Sequence, residues 1–254
     1  MDTHLPAARA AIVADEQWEN ALQQALDQTA GLPSIDVAIL FANSFYAEHF
    51  PALLERLQQA TNARFILGCS GETIIGQGLE LENVPALSLL LLSLPDVILR
   101  PVRLTQSMIN LCPTPLSWRT HLDVQLDDVN AWLIFADPFH MEVERLIDGL
   151  ASAYGECPVL GGLASSSNTK ARRTHIFFNN EVFTEGGVGL AIGGPYTLHP
   201  LVSQGCEPIG ETWTITGVRD NLITTISNRP AYDMLVETFK SLPHEVQQRA
   251  QRNL

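Results

Sequence analysis

Basic residues are scarce in this chain of 254 residues. Lys and Arg together number 15, against 28 Asp and Glu, so the formal net charge is −13. Binding to duplex DNA or to an anionic membrane needs a basic face, and we therefore expect neither nucleic acid nor a membrane as a partner. An acidic, well-solvated surface is typical of a cytosolic protein, and the predicted location is cytoplasmic.

Long apolar runs and paired cysteines are also missing. The most apolar stretch, residues 84–94, has 11 residues and includes a proline, whereas a membrane-spanning helix needs about 20. The first residues show no basic region followed by an apolar core, so no secretory signal is predicted. The four cysteines form no CxxC pair, which argues against a zinc knuckle or a disulfide framework and favours reduced thiols.

Three catalytic signatures are absent as well. The chain has no phosphate loop, no G-x-G-x-x-G motif that opens a helix after a strand, and no His-Glu-x-x-His motif. Nothing therefore favours nucleotide hydrolysis or zinc proteolysis. The sequence predicts a binding protein without a bound metal or cofactor, rather than an enzyme.

The composition and the order of apolar patterns predict a folded α/β protein. Hydrophobic residues make up 46% of the chain and charged residues 17%, which is typical of an ordered domain. Continuous apolar runs, typical of strands buried on both faces, occupy residues 37–42 and 131–136, and the largely apolar segments 64–67 and 86–92 are also predicted to be strands. Amphipathic stripes, typical of helices, occupy residues 15–29, 51–60 and 141–153. Residues 105–120, which contain Pro113 and Pro115, are expected to form a connector.

The chain contains a weak internal repeat. A shift of 94 residues places Phe41 on Phe135 and Gly68 on Gly162. We therefore predict two similar strand–helix–strand–hairpin units, at about 36–104 and 130–194, that form a layered mixed-sheet core with outer helices.

Small and polar residues follow four of the predicted strands. Ligands in open α/β sheets sit beyond the carboxyl ends of strands, so we expect these loops to line one cleft. The predicted ligand-binding residues are Asn43, Gly68, Cys69, Ser70, Gly71, Glu72, Asp137, Gly161, Gly162, Ser165 and Ser166.

Several motifs resemble those of the FIST family of sensory domains, named for its occurrence in F-box and intracellular signal-transduction proteins. The motifs are FANSF at 41–45, LGCSGE at 67–72, PALSL at 85–89, FADPF at 135–139 and VLGGLAS at 159–165. The resemblance covers residues 35–230, the N-terminal half of the family. Residues 231–254 resemble the start of its C-terminal half, and residues 1–34 would form a preceding helical segment. By family expectation the C-terminal half continues beyond residue 254, so the chain looks truncated.

The resemblance implies a small-ligand-binding input module that passes a signal to a downstream signalling protein. The expected ligand is an amino acid or a related polar metabolite. In this hypothesis, backbone N–H groups of two glycine loops, residues 68–72 and 161–167, hold the ligand carboxylate, and Glu72 or Asp137 accepts its amine. Both acids have an ordinary alternative role, since acids in Gly/Ser turns and before proline commonly cap the local backbone.

Three other functions stay open at the level of sequence. Some bacterial family members resemble haem-binding nitric-oxide sensors, and His140 is the candidate iron ligand for that reading. Cys69 could act as a nucleophile in a thiol enzyme if a base lay beside it. The chain could also be a protein-interaction module that binds no small ligand.

Overall fold

The computed structural model describes residues 5–155, 157–166, 173–202 and 208–252. Ser167, the last residue of the second predicted glycine loop, and Cys206 lie outside the described residues. The chain divides into two compact units, Met1–Pro200 and Leu201–Leu254.

The first unit contains twelve strands and five helices among its described residues. The strands are β1 (Ala7–Ala14), β2 (Val37–Asn43), β3 (Phe65–Gly71), β4 (Ile74–Gly76), β5 (Leu79–Leu81), β6 (Ala86–Ser93), β7 (Ile98–Leu104), β8 (Ala131–Ala136), β9 (Val159–Leu163), β10 (Ile176–Phe178), β11 (Glu181–Phe183) and β12 (Gly187–Gly193). The α-helices are α1 (Trp18–Gln28), α2 (Phe50–Thr61), α3 (Gln106–Leu111), α4 (Pro115–Leu122) and α5 (Val143–Tyr154). Two short 3-10 helices, Ser44–His49 and Leu126–Asp128, complete it.

The first unit is built on two mixed sheets. One has six strands in the order β1-β6-β2-β3-β10-β11, and the other has four in the order β7-β12-β8-β9. In each sheet one pair is parallel, β2 with β3 and β8 with β9. The remaining pairs are antiparallel. The predicted α/β class is confirmed.

The central strands β2, β8 and β12 are buried on both faces because the sheets form the two inner layers of an α–β–β–α arrangement. Along β2, Ala38 and Leu40 pack with apolar residues of α1 and α2, on the outer side of the first sheet. The intervening Val37 and Ile39 pack with residues of the second sheet. The period of two along a strand thus sends alternate side chains into two different cores. This explains why β2 is continuously apolar.

The second sheet repeats this division of its side chains. Trp132 and Ile134 of β8 pack with the apolar faces of α3, α4 and α5. Phe135, next in sequence, packs instead in the core between the sheets. The rings of Phe135 and Phe41 meet there edge to face, with centroids 5.2 Å apart.

Three elements differ from the sequence-based expectations. The predicted helical segment 1–34 also contains β1, which pairs with β6 along its whole length. The predicted connector 105–120 contains α3 and most of α4. Each begins at a threonine cap, and at α4 Thr114 forms a reciprocal capping box with Ser117, followed by Pro115. Prolines therefore open a helix here rather than prevent one.

Four strands are arranged in the same way in both sheets. The order is β1-β6-β2-β3 in one sheet and β7-β12-β8-β9 in the other. Counted along the chain, the fourth strand of each set therefore lies between the first and the second, and the third lies beyond the second. The strand β7, which the predicted first repeat included, lies in the second sheet beside β12. The ladders also change one predicted correspondence. Gly68 pairs with Leu40, and Gly161 pairs with Ile134, so Gly161 rather than Gly162 occupies the position that corresponds to Gly68.

The second unit contains a small antiparallel sheet and two helices. Its strands are β13 (Ile215–Arg219), β14 (Leu222–Ile226) and β15 (Arg229–Pro230), and its helices are α6 (Ala231–Ser241) and α7 (His244–Arg252). The predicted C-terminal segment, from residue 231, thus begins at the start of α6. Within the described residues of the whole chain, no helix is both long and apolar enough to cross a membrane.

Candidate functional site

A cavity of about 540 Å³ opens between the two sheets of the first unit, at the carboxyl ends of the parallel strands. Six of the eleven predicted ligand-binding residues line it, namely Cys69, Ser70, Gly71, Gly161, Gly162 and Ser165.

The other five predicted residues, which do not line the cavity, are Asn43, Gly68, Glu72, Asp137 and Ser166.

The remaining lining residues are mostly apolar and come from both sheets. They are Ile39, Phe41, Thr73, Ile75, Leu90, Leu133, Phe135 and Leu163. Ile39 and Phe41 on β2 match Leu133 and Phe135 on β8 at the predicted shift of 94 residues. The two parallel strand pairs therefore contribute corresponding side chains to one cavity.

The two predicted loops are in direct contact beside the cavity. The Ser70 hydroxyl donates to the carbonyl oxygen of Ser165 over 2.9 Å, and the Ser165 N–H donates to the carbonyl oxygen of Ser70 over 3.0 Å. The Glu72 N–H donates to the Ser165 hydroxyl over 2.9 Å. These three bonds join residues about a hundred positions apart in sequence and hold the first sheet against the second.

This pairing uses N–H groups that the sequence hypothesis assigned to a ligand carboxylate. The N–H groups of Glu72 and Ser165 donate across the loop contact, and the Ser70 N–H donates to the carbonyl oxygen of His175. The three donors are already satisfied within the protein. A carboxylate bound there would have to replace an existing hydrogen bond.

Asn43 and Asp137 cap corresponding turns after β2 and β8. The Asn43 side chain accepts from the Phe45 N–H over 2.9 Å and donates to the carbonyl oxygen of Glu72 over 2.7 Å. The fully buried Asp137 carboxylate accepts from the N–H groups of Phe139 and His140. Asp137 thus carries the local capping role that the sequence analysis left open for it, and Asn43 carries the same role at the corresponding turn.

Two further groups complete the surroundings of Asp137. The Thr174 hydroxyl donates to one carboxylate oxygen over 2.8 Å, and His140 Nδ1 lies 2.6 Å from the other. The His140 side chain is half-exposed and does not line the cavity. Glu72 is exposed and also lies outside the lining.

The Cys69 thiol faces an apolar environment. Its side chain is buried, and this burial raises the pKa of the thiol to about 12. Because the thiolate is the reactive form, a raised pKa disfavours nucleophilic attack at neutral pH.

Sequence reasoning missed the apolar wall of the cavity. Ile39, Phe41, Leu133 and Phe135 were interpreted only as strand residues, since their runs predict burial without telling which layer covers them. The available signal was the repeat itself, because it aligns these four positions in pairs.

A cavity at the carboxyl ends of parallel strands is the usual place for a ligand in layered α/β domains. The FIST N domain model matches residues 36–229 of this chain. The chain therefore belongs to the FIST family, whose domains generally serve as sensory domains in signal transduction, as the motifs predicted.

Mycobacterial proteins are among its relatives. The chain is 27% identical over 225 residues to the uncharacterized protein Rv0628c of Mycobacterium tuberculosis, covering 88% of this chain and 56% of the relative. It is 28% identical over 238 residues to the uncharacterized protein Mb0898c of Mycobacterium bovis, covering 93% of this chain and 58% of the relative. The chain thus spans somewhat more than half the length of these relatives.

Proposed function

We propose that the first unit is the ligand-binding part of a sensory domain and that its receptor is the cavity between the two sheets. The observation that carries the proposal is the convergence of Gly71, Gly161 and Gly162 on one cavity of about 540 Å³. This volume lies within the range of small-molecule sites.

An amino acid or a related metabolite is the ligand class to test first, because the family resemblance implies it. An amino acid with an apolar side chain could place that side chain against Phe41 and Phe135. The hydroxyls of Thr73 and Ser165, which also line the cavity, would face its polar end.

The signal would pass through the contact between the sheets. Ligand in the cavity touches both β2 and β8, and the Ser70–Ser165 hydrogen bonds lie beside it. A ligand that binds one arrangement of the two sheets more tightly shifts the population toward that arrangement. A downstream signalling protein would then read the altered surface in the cytoplasm.

A thermal-shift panel tests the proposal. The wild-type chain is melted at millimolar concentration with each of the common amino acids and with their N-acetyl amides, which carry no backbone charge. A ligand that binds only the folded state raises the melting temperature. The same ligand should have no effect on Gly162→Leu, which adds a bulky side chain to the lining of the cavity. If the ligand still raises the melting temperature of this variant, it binds outside the cavity, and the proposal is contradicted.

A further inference from the structure

The described residues that line the cavity include no charged side chain. Their polar side chains are those of Ser70, Thr73 and Ser165. The Ser70 hydroxyl is already committed, since it donates to Ser165 and accepts from the His175 N–H over 3.0 Å. The Thr73 and Ser165 hydroxyls therefore remain as donors toward a ligand.

The acids nearest in sequence to this lining are directed elsewhere. Glu72 is exposed and outside the lining, while the Asp137 carboxylate is enclosed by four donor groups. A ligand ammonium group inside the cavity would thus have no carboxylate partner among the described lining residues. An unpaired charge is costly to move from water into such surroundings.

The open space beside Gly162 follows from the residue pairing in the two parallel strand pairs, β2–β3 and β8–β9. Cys69 pairs with Phe41, and Gly162 pairs with Phe135, so Cys69 and Gly162 occupy corresponding positions. The first sheet carries a side chain there and the second carries none. A side-chain carbon added at Gly162 would meet no heavy atom within 4 Å.

From these observations we infer that the cavity takes an uncharged ligand with an apolar body and a hydrogen-bond acceptor at one end. The body packs against Phe41, Leu133 and Phe135, and the acceptor meets the hydroxyls of Thr73 and Ser165. The inference rests on the proposed function for the cavity as receptor, and it narrows the ligand class there from amino acids and related metabolites to their uncharged members.

A matched pair of fluorescent probes tests whether the ligand must be uncharged. N-phenyl-1-naphthylamine is uncharged, and 8-anilino-1-naphthalenesulfonate has the same ring system with a sulfonate added. We expect the neutral probe to bind the wild-type chain saturably at one site and the sulfonate to bind at least about tenfold more weakly, because its charge must be desolvated.

Two variants locate the binding. Gly162→Leu should abolish binding of the neutral probe, while Ser152→Leu, which adds the same side chain at an exposed position of α5, should leave it unchanged. Circular dichroism of both variants verifies that they fold. If Gly162→Leu fails to fold, Gly162→Val provides the same test with a smaller side chain.

The outcomes separate the inference from the proposed function. Equal affinity for the two probes at the cavity overturns the uncharged class but leaves the cavity as a receptor. The uncharged class is also overturned if the wild-type chain binds an amino acid but not the neutral probe, and Gly162→Leu no longer binds that amino acid. The cavity then remains the receptor. If neither probes nor metabolites respond to Gly162→Leu, both proposals are overturned.

Discussion

Gly68 and Gly161 make the same close approach to a neighbouring strand in the two sheets. A side-chain carbon at Gly68 would lie 1.8 Å from the carbonyl oxygen of Leu40, and one at Gly161 would lie 1.7 Å from that of Ile134. Their φ angles, +150° and +147°, are also alike and unfavourable for other residues. The structure thus gives both glycines a backbone role beside the cavity.

Gly68→Ala and Gly161→Ala should each destabilise the protein by at least about 2 kcal/mol, because the added methyl group collides with a backbone oxygen. Urea unfolding measures the loss. Gly162→Ala is the matched control and should stay within about 0.5 kcal/mol of wild type, since its position is open. Equal losses at all three positions would contradict the assigned geometry.

Asp137→Ala should cost about 3 kcal/mol of unfolding free energy, because it leaves the buried Thr174 hydroxyl and two N–H groups without their acceptor. Asp137→Asn should cost less, since Asn43 caps the corresponding turn with an amide. His140→Ala, which changes a half-exposed side chain, should cost less than Asp137→Ala. Chemical denaturation measures the loss of unfolding free energy in each of the three variants. A smaller loss in Asp137→Ala than in the other two would contradict the prediction.

Arg103→Lys should lower the unfolding free energy by about 2 kcal/mol. The Arg103 guanidinium donates to the carbonyl oxygens of Leu104, Glu185 and Gly187 and lies 4.0 Å from the centre of the Phe183 ring. Lysine cannot reproduce this planar set of donors. Thermal and urea unfolding of the variant check the value, and a stability equal to wild type would show that the contacts contribute little.

Stability should decline as the pH rises above 9. Burial raises the pKa of Tyr46 from 10.0 to about 12, and that of Cys69 from 9.0 to about 12. The unfolded chain loses these protons at lower pH than the folded chain does. The free energy of unfolding therefore has its full value below pH 9 and decreases between pH 9 and 12.

Urea midpoints measured from pH 8 to 11 test this dependence. Above pH 10 the slope for Tyr46→Phe should be shallower than that of wild type by up to about 1.4 kcal/mol per pH unit, because one titrating group has been removed. Parallel curves for the two proteins would contradict the assignment to Tyr46.

Cys69 should resist alkylation by iodoacetamide at pH 7.5 in the folded protein and react after denaturation. The reason is its burial and the raised pKa of its thiol. Peptide mass mapping distinguishes it from the other cysteines. Rapid modification of Cys69 in the folded state would instead support the thiol-enzyme alternative.

Local patterns were sufficient for most of the first unit's elements. The apolar runs identified β2, β6 and β8, and the amphipathic stripes identified α1, α2 and α5. The pattern of β1 was missed because alanine-rich segments carry little strand signal. The helices α3 and α4 were missed because prolines were interpreted as breaks, although Pro115 occupies the first turn of α4.

The candidate site was only partly accessible from the sequence. Its loops could be found from their glycines and serines, since small and polar residues after strands are a local signal. The roles of Asn43 and Asp137 could not be decided, because their hydrogen-bond partners include residues distant in sequence.

By itself, the sequence determined the α/β class, the family and the two loops beside the cavity, because periodicity and short motifs are local properties. Tertiary structure alone decided that β7 joins the second sheet, that Gly161 corresponds to Gly68, and that Phe41 meets Phe135. Strand pairing and sheet packing join residues far apart in the chain, so no local pattern specifies them.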